Sequence, residues 1–414
     1  MITFIHTADI HFGMENYGKI DATTGIHSRL LDFEKALNHC IDFALEKSVD
    51  FFLFSGDAYK TAHPSPTQQK LLMRCLLRLY KAGIPVIIIV GNHDNPLSFG
   101  KASSLEIFGD MPFNGFHVID SPQLLNLQTK NGPIQIVGIP WPTRNSLNIN
   151  TKHLQSTATE ITEYISAAVS AIVQDFAQKV DPTFPSVLAG HLTVSSGIFS
   201  GSEKRAIYGN DPVLMPSQLA IEPFDYVALG HLHRYQNLNP HGYPALVYAG
   251  SIERIDFGER KEPKGFCYVQ AERHKTTHQF IEGIMRPFIQ IEVYLSTNPE
   301  THTQEILSEL QKHNLEGSVI KILYHVPPGI AQGVDTGALQ RACSLAQHVV
   351  GIFPLYKPAT REKRIGINST QDLATLLNHY FEEKPALRDR KELLTKKALE
   401  LVNESQEYCQ ESDE

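Results

Sequence analysis

Residues 86–96 read VIIIVGNHDNP, and the way the apolar run ends decides how the chain is built. Val86, Ile87, Ile88, Ile89 and Val90 are an unbroken series of β-branched residues, the pattern of a strand buried on both faces in a sheet covered by helices. Such a strand has no use for polar side chains at its end. Asn92, His93 and Asp94 are then either turn residues closed by Pro96, because Asn and Asp bond their own backbone in turns, or groups mounted on a rigid strand for chemistry. The stretch alone decides neither.

Similar runs recur through the first two thirds of the chain: ITFIH (2–6), FFLFSGD (51–57), IQIVGIP (134–140), SVLAGH (186–191) and YVALGH (226–231). Between several of them lie helical patterns, RLLDFEKALNHCIDFALEK (29–47) and SPTQQKLLMRCLLRLYKAG (65–83), the second with Gly83 placed as a C-cap. Strand and helix in alternation make this a layered α/β domain. Nearly every strand-like run ends in Gly or a metal-binding residue type at its carboxyl end, where open α/β sheets put their sites.

A length of 414 residues suits two or three domains with a sizeable core. The hydrophobic fraction of 42% and charged fraction of 20% are those of a soluble globular protein, and no apolar run reaches the roughly 18 residues of a membrane span. The start, MITFIHTADIHFG, goes straight into a strand pattern without a basic leader, so the cytoplasm is the expected compartment. Five scattered cysteines, none in a C-x-x-C pair, argue against a disulfide framework and against a zinc–thiolate site. With 37 Lys and Arg against 45 Asp and Glu, the formal charge of −8 has the wrong sign for bulk attraction to nucleic acid. A nucleic-acid substrate would need metal ions, a local basic patch or a partner.

The texture changes near MRPFIQIEVYL (285–295). From there the chain reads strand, helix (299–314), strand (318–327), helix over VDTGALQRACSLAQHV (334–349) and strand over IFPLYKP (352–358), a small second α/β unit. The next loop, KPATREKR, gathers Lys357, Arg361, Lys363 and Arg364, as a solvated basic loop or as a phosphate-contacting one. Beyond it, Ser369 with Asp372 suits a capping box, and Leu373, Leu376, Leu377, Tyr380 and Phe381 follow helical spacing until Pro385. Leu394, Ala398, Leu401 and Val402 make a second stripe. Such terminal helices either pack on their own domain or present a face to a partner.

Five short motifs carry the chemistry: ADIHFG with Asp9 and His11, SGDAY with Asp57, VGNHDN with Asn92, His93 and Asp94, LAGHL with His191, and LGHLHR with His231 and His233. In an extended chain residues two apart share a face, so Asp9 with His11, and His231 with His233, are each expected to aim together from a strand. A glycine precedes the polar group in four of the five, which lets backbone and ligand approach without an intervening Cβ. Any one motif alone is equally a turn, an N-cap or a core histidine. Five in series, with imidazole, carboxylate and one amide but no thiolate, suit a pair of Mn²⁺, Fe or Mg²⁺-like ions.

The ordered set D-x-H, G-D, G-N-H-D, G-H and G-H-x-H resembles the calcineurin-like metallophosphoesterase superfamily over roughly residues 1–260. That resemblance implies a β-sandwich flanked by helices, with two divalent ions at its edge. Carried over motif by motif, it implies that Asp9, His11, Asp57 and His233 hold one ion and Asp57, Asn92, His191 and His231 the other. His93 is then a catalytic non-ligand and Asp94 the residue that orients its ring.

HLTVSSGIFSGSEKR (191–205), YAGSIERIDFGE (248–259) and, with less weight, GDAYKTAHPSPTQQ (56–69) resemble the SbcD nuclease family, bacterial counterpart of the double-strand-break repair nuclease. This second resemblance implies a nuclease domain over 1–284, a small α/β capping and DNA-binding domain over 285–366, and a helical tail over 367–414. It implies Mn²⁺-dependent exonuclease action on double-stranded ends and endonuclease action on single strands and hairpins. It also implies an SbcC-type coiled-coil ATPase partner, which the tail would meet through Leu373, Leu377, Phe381, Leu394 and Leu401, and a homodimer within a heterotetramer. In such an assembly Lys357, Arg361, Lys363 and Arg364 would touch DNA. The alternatives are a small-substrate metallophosphodiesterase acting on nucleotides or cyclic nucleotides, against which the extra capping and tail segments count, and a non-catalytic adaptor tethering an ATPase to DNA.

Overall fold

A computed structural model describes residues 1–96, 101–111, 114–143, 157–201, 211–356, 373–382 and 387–411. The basic residues Lys357, Arg361, Lys363 and Arg364, together with Ser369, Asp372 and Pro385, lie outside the described residues. The chain divides into two compact units, one of Met1–His325 with Ala331–Pro354, the other of Val326–Ile330 with Leu355–Glu414.

Two six-stranded sheets form the body of the first unit. In one, the strands Ile2–Thr7, Phe51–Phe54, Val86–Ile89 and Phe116–Ile119 run parallel, and Gly265–Ala271 and Thr277–Glu282 complete the edge antiparallel. In the other, Gly132–Ile139, Ser186–His191, Tyr226–Gly230 and Ala245–Tyr248 are parallel, flanked by the antiparallel Gln123–Thr129 and Gln236–Asn237. The continuous apolar runs are explained by the layers that cover each face. Phe51, Leu53, Ile87 and Ile89 point into a core shared with Val187, Ala189, Tyr226 and Val247 of the second sheet. Phe52, Phe54, Val86 and Ile88 meet Phe33, Leu37, Leu72 and Leu76 from the helices Ser28–Glu46 and Pro66–Lys81. The VIIIV run read by itself suggested helices on both faces; one face carries a second sheet, as the β-sandwich implied by the family resemblance requires. An apolar run reports that both faces are buried, not by which kind of layer.

Ala158–Lys179 covers the outer face of the second sheet through Ile165, Val169 and Val173. The helix Pro66–Lys81 starts at a capping box of Ser65 with Gln68, and Gly83 comes just past its end at φ +70. A third sheet is built from Phe288–Tyr294, Val319–Val326 and His348–Tyr356, with the first two parallel. Its second helix is Thr336–Ala342, shorter than its sequence pattern, because the last strand begins at His348 rather than Ile352. Arg286 fastens this sheet to the body by its ion pair with Asp32, which also pairs with the buried Arg29 at 2.8 Å. The second unit contains the helices Leu373–Glu382 and Lys391–Glu411, joined by a Thr395–Asn378 hydrogen bond and a Lys391–Glu382 ion pair. Leu373 and Leu401 are exposed, whereas Leu377, Phe381 and Leu394 are half-buried. Among the described residues no helix is long and apolar enough to cross a membrane.

His6 lies in the core between the sheets, where Nε2–H donates to the Leu229 carbonyl at 3.2 Å and Nδ1 accepts from the Tyr226 hydroxyl at 3.2 Å. Burial lowers its pKa from 6.5 to about 3. The unfolded chain therefore binds a proton below pH 6.5 that the native state refuses, so stability is complete above about 6.5 and falls as pH drops toward 3. The whole shift is worth on the order of 5 kcal/mol. Denaturant unfolding between pH 7 and 5 is expected to show a shallower pH slope in His6→Gln than in the wild type; equal slopes would remove His6 as the cause.

Candidate metal centre

The five motifs converge where the carboxyl ends of the central strands of both sheets meet. Asp9 and His11 follow the strand Ile2–Thr7, Asp57 follows Phe51–Phe54, and Asn92 and His93 follow Val86–Ile89. His191 ends its own strand, and His231 and His233 follow Tyr226–Gly230. Convergence within each pair does not come from an extended strand, contrary to the sequence expectation. Asp9 and His11 both have φ 52, Asp57 has φ 61 and His231 has φ 104, so the backbone bends through left-handed conformations that non-glycine residues adopt only when their surroundings enforce them. The enforcing contacts are Asp9 N–H to the Gly56 carbonyl and His11 N–H to the Asp57 carbonyl, both 3.0 Å.

Two of the motif glycines are required by close approach. A Cβ at Gly91 would stand 2.2 Å from Asp57 Oδ1, and one at Gly230 would stand 2.0 Å from the Ser55 carbonyl oxygen. The space they leave is lined by ligand atoms. His11 Nε2 and His233 Nε2 are 3.0 Å apart, and Asp57 Oδ2 is 3.4 Å from His191 Nε2 and 3.7 Å from His11 Nε2. Asn92 Oδ1 is 2.9 Å from His191 Nε2 and 3.2 Å from His231 Nδ1. The groups Asp9/His11/His233, Asp9/Asp57/His191 and His11/Asp57/His93 each bring their ligand atoms within 4.8 Å of one another.

The outer partners of the imidazoles fix which nitrogen faces inward. His191 Nδ1 lies 2.8 Å from the Ser55 carbonyl, which only accepts, so Nδ1 carries the proton. In the neutral ring Nε2 then aims a lone pair at two acceptors, Asn92 Oδ1 and Asp57 Oδ2. His231 Nε2 lies 3.1 Å from the Asp211 carboxylate and His233 Nδ1 lies 3.0 Å from that of Glu259, which turns the lone pairs of both rings inward as well. Lone pairs and carboxylate oxygens facing one another across a buried space repel unless a cation stands between them, so the donor set fits divalent metal. Without a cation the same crowding draws protons onto the site instead. Burial pushes the Asp9 carboxyl up, with the Asp57 charge adding to it. Asp57, which burial alone would raise, is held well below the usual carboxylate range by His191, His11 and His93. Against its own burial, His191 is lifted to about 9 by Asp57 and Asp9.

His93 differs from the other site imidazoles in being 44% exposed at its side chain, with Nε2 4.0 Å from Asp57 Oδ2. Its Nδ1 donates to the Lys60 carbonyl at 2.8 Å. Asp94 does not orient this ring, which corrects the role expected for it. Its carboxylate turns into the body and accepts the backbone N–H groups of Asp57 (2.8 Å), Ala58 (3.2 Å), Tyr59 (3.1 Å) and Gly91 (3.2 Å). It shapes the loop that carries Asp57 and ties it to its own, because three buried amides of that turn and one of Gly91 attract a carboxylate more strongly than one half-exposed imidazole does.

Several groups at the site escape sequence reading. Glu259 lies inside YAGSIERIDFGE, where nothing in its spacing points to His233, and Asp211 belongs to none of the five motifs. Lys60 acts through its backbone carbonyl, which no residue type reveals. Trp141, the chain's one tryptophan, sits directly after the run IQIVGIP, and its ring centroid is 4.8 Å from that of His231.

A family model described as calcineurin-like phosphoesterase matches residues 2–235. The SbcD subunit of the SbcCD nuclease of Staphylococcus saprophyticus subsp. saprophyticus is 29% identical over 323 residues, covering 78% of this chain and 79% of that protein. The protein of the same name from Staphylococcus epidermidis is 26% identical over 312 residues, covering 75% and 76%. Among solved structures, a dimetal phosphatase from Danio rerio is 12% identical with a TM-score of 0.36, covering 68% of this chain and 98% of that one.

Proposed function

The chain belongs to the calcineurin-like phosphoesterase family and is by that membership a metal-dependent phosphoesterase; we propose that its substrate is DNA and that it is the nuclease subunit of an SbcCD-type complex. The observation that carries DNA as substrate is the likeness to two proteins named as SbcD subunits of the SbcCD nuclease, over 323 and 312 residues, stretches longer than the phosphoesterase match. In this reading Asp9, His11, Asp57 and His233 hold one ion, and Asp57, Asn92, His191 and His231 the other. Mn²⁺ suits the mixed oxygen and nitrogen set. When bound, such a pair supplies Lewis-acid neutralisation of charge on phosphoryl oxygens and acidifies water.

The chain's own groups do the rest. His93, with Nδ1–H on the Lys60 carbonyl, presents Nε2 at the exposed side of the site, where its protonated form gives a proton to the leaving oxygen. Asp57 is held by the His93 backbone N–H on its Oδ1 and by Asp94 on its own N–H. Residues 1–284 form the nuclease domain, 285–366 the capping domain that contacts DNA, and 367–414 the tail. The apolar residues Leu373, Leu377, Phe381, Leu394 and Leu401 of the tail meet an SbcC-type ATPase, within a heterotetramer built on a homodimer.

The test is cleavage of hairpin-ended DNA by the purified protein, alone and with its candidate ATPase, in Mn²⁺ and after chelation. Mn²⁺-dependent opening of the hairpin is expected. Hydrolysis of a small phosphodiester, with DNA left intact under both conditions, would assign the site to small substrates instead.

A further inference from the structure

Glu259 and Lys264 form a fully buried ion pair beside the site, with relative exposures of 0% and 1%. A buried pair of this kind is weak support for stability, because the cost of removing two charges from water rivals their attraction. Their contacts form a closed ring around one site residue. Glu259 Oε1 accepts from His233 Nδ1 at 3.0 Å, and Oε2 accepts from the Ile255 N–H at 2.8 Å and pairs with Lys264 Nζ at 3.0 Å. Lys264 Nζ returns to the same histidine, donating to the His233 carbonyl at 2.7 Å, and also reaches Glu262 Oε2 at 3.3 Å. One unit thus grips both the ring and the backbone of His233. His231 is held differently, its ring by Asp211, which is 15% exposed, and its backbone N–H by the carboxylate of Asp9, itself a proposed ligand, at 3.0 Å.

We infer that Glu259 and Lys264 are positioning residues for His233, a buried carboxylate–ammonium clamp that fixes its tautomer and ring angle and so sets the affinity of one of the two metal positions selectively. The inference rests on the dinuclear reading proposed above. Outer partners of this kind raise ligand basicity and restrict rotation, and their loss costs roughly 10–100-fold in metal affinity. Glu259→Gln alone strands the Lys264 ammonium in the interior, so the decisive variant is Glu259→Gln combined with Lys264→Met, which removes both charges together.

Titration of the metal-free, full-length protein with Mn²⁺ by calorimetry should show two binding steps in the wild type. In the double variant one step is expected to weaken roughly 10–100-fold while thermal melting of the metal-free protein stays close to wild type. Trp141 fluorescence, read beside His231, is expected to keep its wild-type midpoint for the other step. Two unchanged steps in a folded double variant, or equal weakening of both, would overturn the clamp and leave the dinuclear reading standing. Fewer than two Mn²⁺ steps in the wild type would overturn both together.

Discussion

Asp57→Asn is expected to yield a folded protein that has lost most of its metal and cleaves phosphodiesters on the order of 10³-fold more slowly. Asp57 stands between the imidazoles of His11 and His191, and in the proposed reading its carboxylate is the one that would be shared by both ions. An amide removes the negative charge from the middle of the site but keeps a carbonyl oxygen that can still accept the His93 N–H, which lies 2.9 Å from Asp57 Oδ1. The fold therefore has little reason to fail, and the loss should appear in metal content rather than in melting temperature. Elemental analysis and thermal melting of the same preparation separate the two. A variant that retains two ions at wild-type affinity would show that Asp57 is not the bridge.

His93→Ala is expected to lower turnover by about 10²–10⁴-fold with metal content unchanged. The reason lies in how the ring is held. With Nδ1 committed to the Lys60 carbonyl, a proton can come and go only at Nε2, which faces the site from its exposed side. His93 also falls within ligand reach of His11 and Asp57, so the same variant decides between two roles. Metal retained with activity lost identifies a proton donor. Metal lost in step with activity would make His93 a ligand and leave the leaving oxygen without an assigned acid.

Much of the fold was legible because the strands are buried on both faces, which writes itself into the sequence as unbroken runs such as VIIIV and FFLF. The candidate ligands were legible for a related reason: Asp57, Asn92 and His191 are polar groups at the ends of runs that have no structural need of them. The identity of the second layer was not legible in the runs themselves and came only through the motif resemblance, since a strand face buried by a sheet and one buried by a helix ask for the same residues. Nor was the direction of Asp94. Its sequence neighbour is His93, yet its carboxylate is bound by amides some 35 residues away, at 57–59.

The sequence by itself determined the inventory of the site, its imidazoles, carboxylates and one amide, and their order along the chain, because the side chains that can bind a divalent ion are few and residue type is all that is needed to count them. Which nitrogen of each ring faces inward was decided only by tertiary structure. His191 takes its tautomer from the Ser55 carbonyl 136 residues away, and His233 takes its own from Glu259 and stands against His11 from 222 residues away. A proton settles on the nitrogen that has an acceptor within reach, and which acceptor is within reach depends on how distant segments pack, not on the neighbouring residues in the chain.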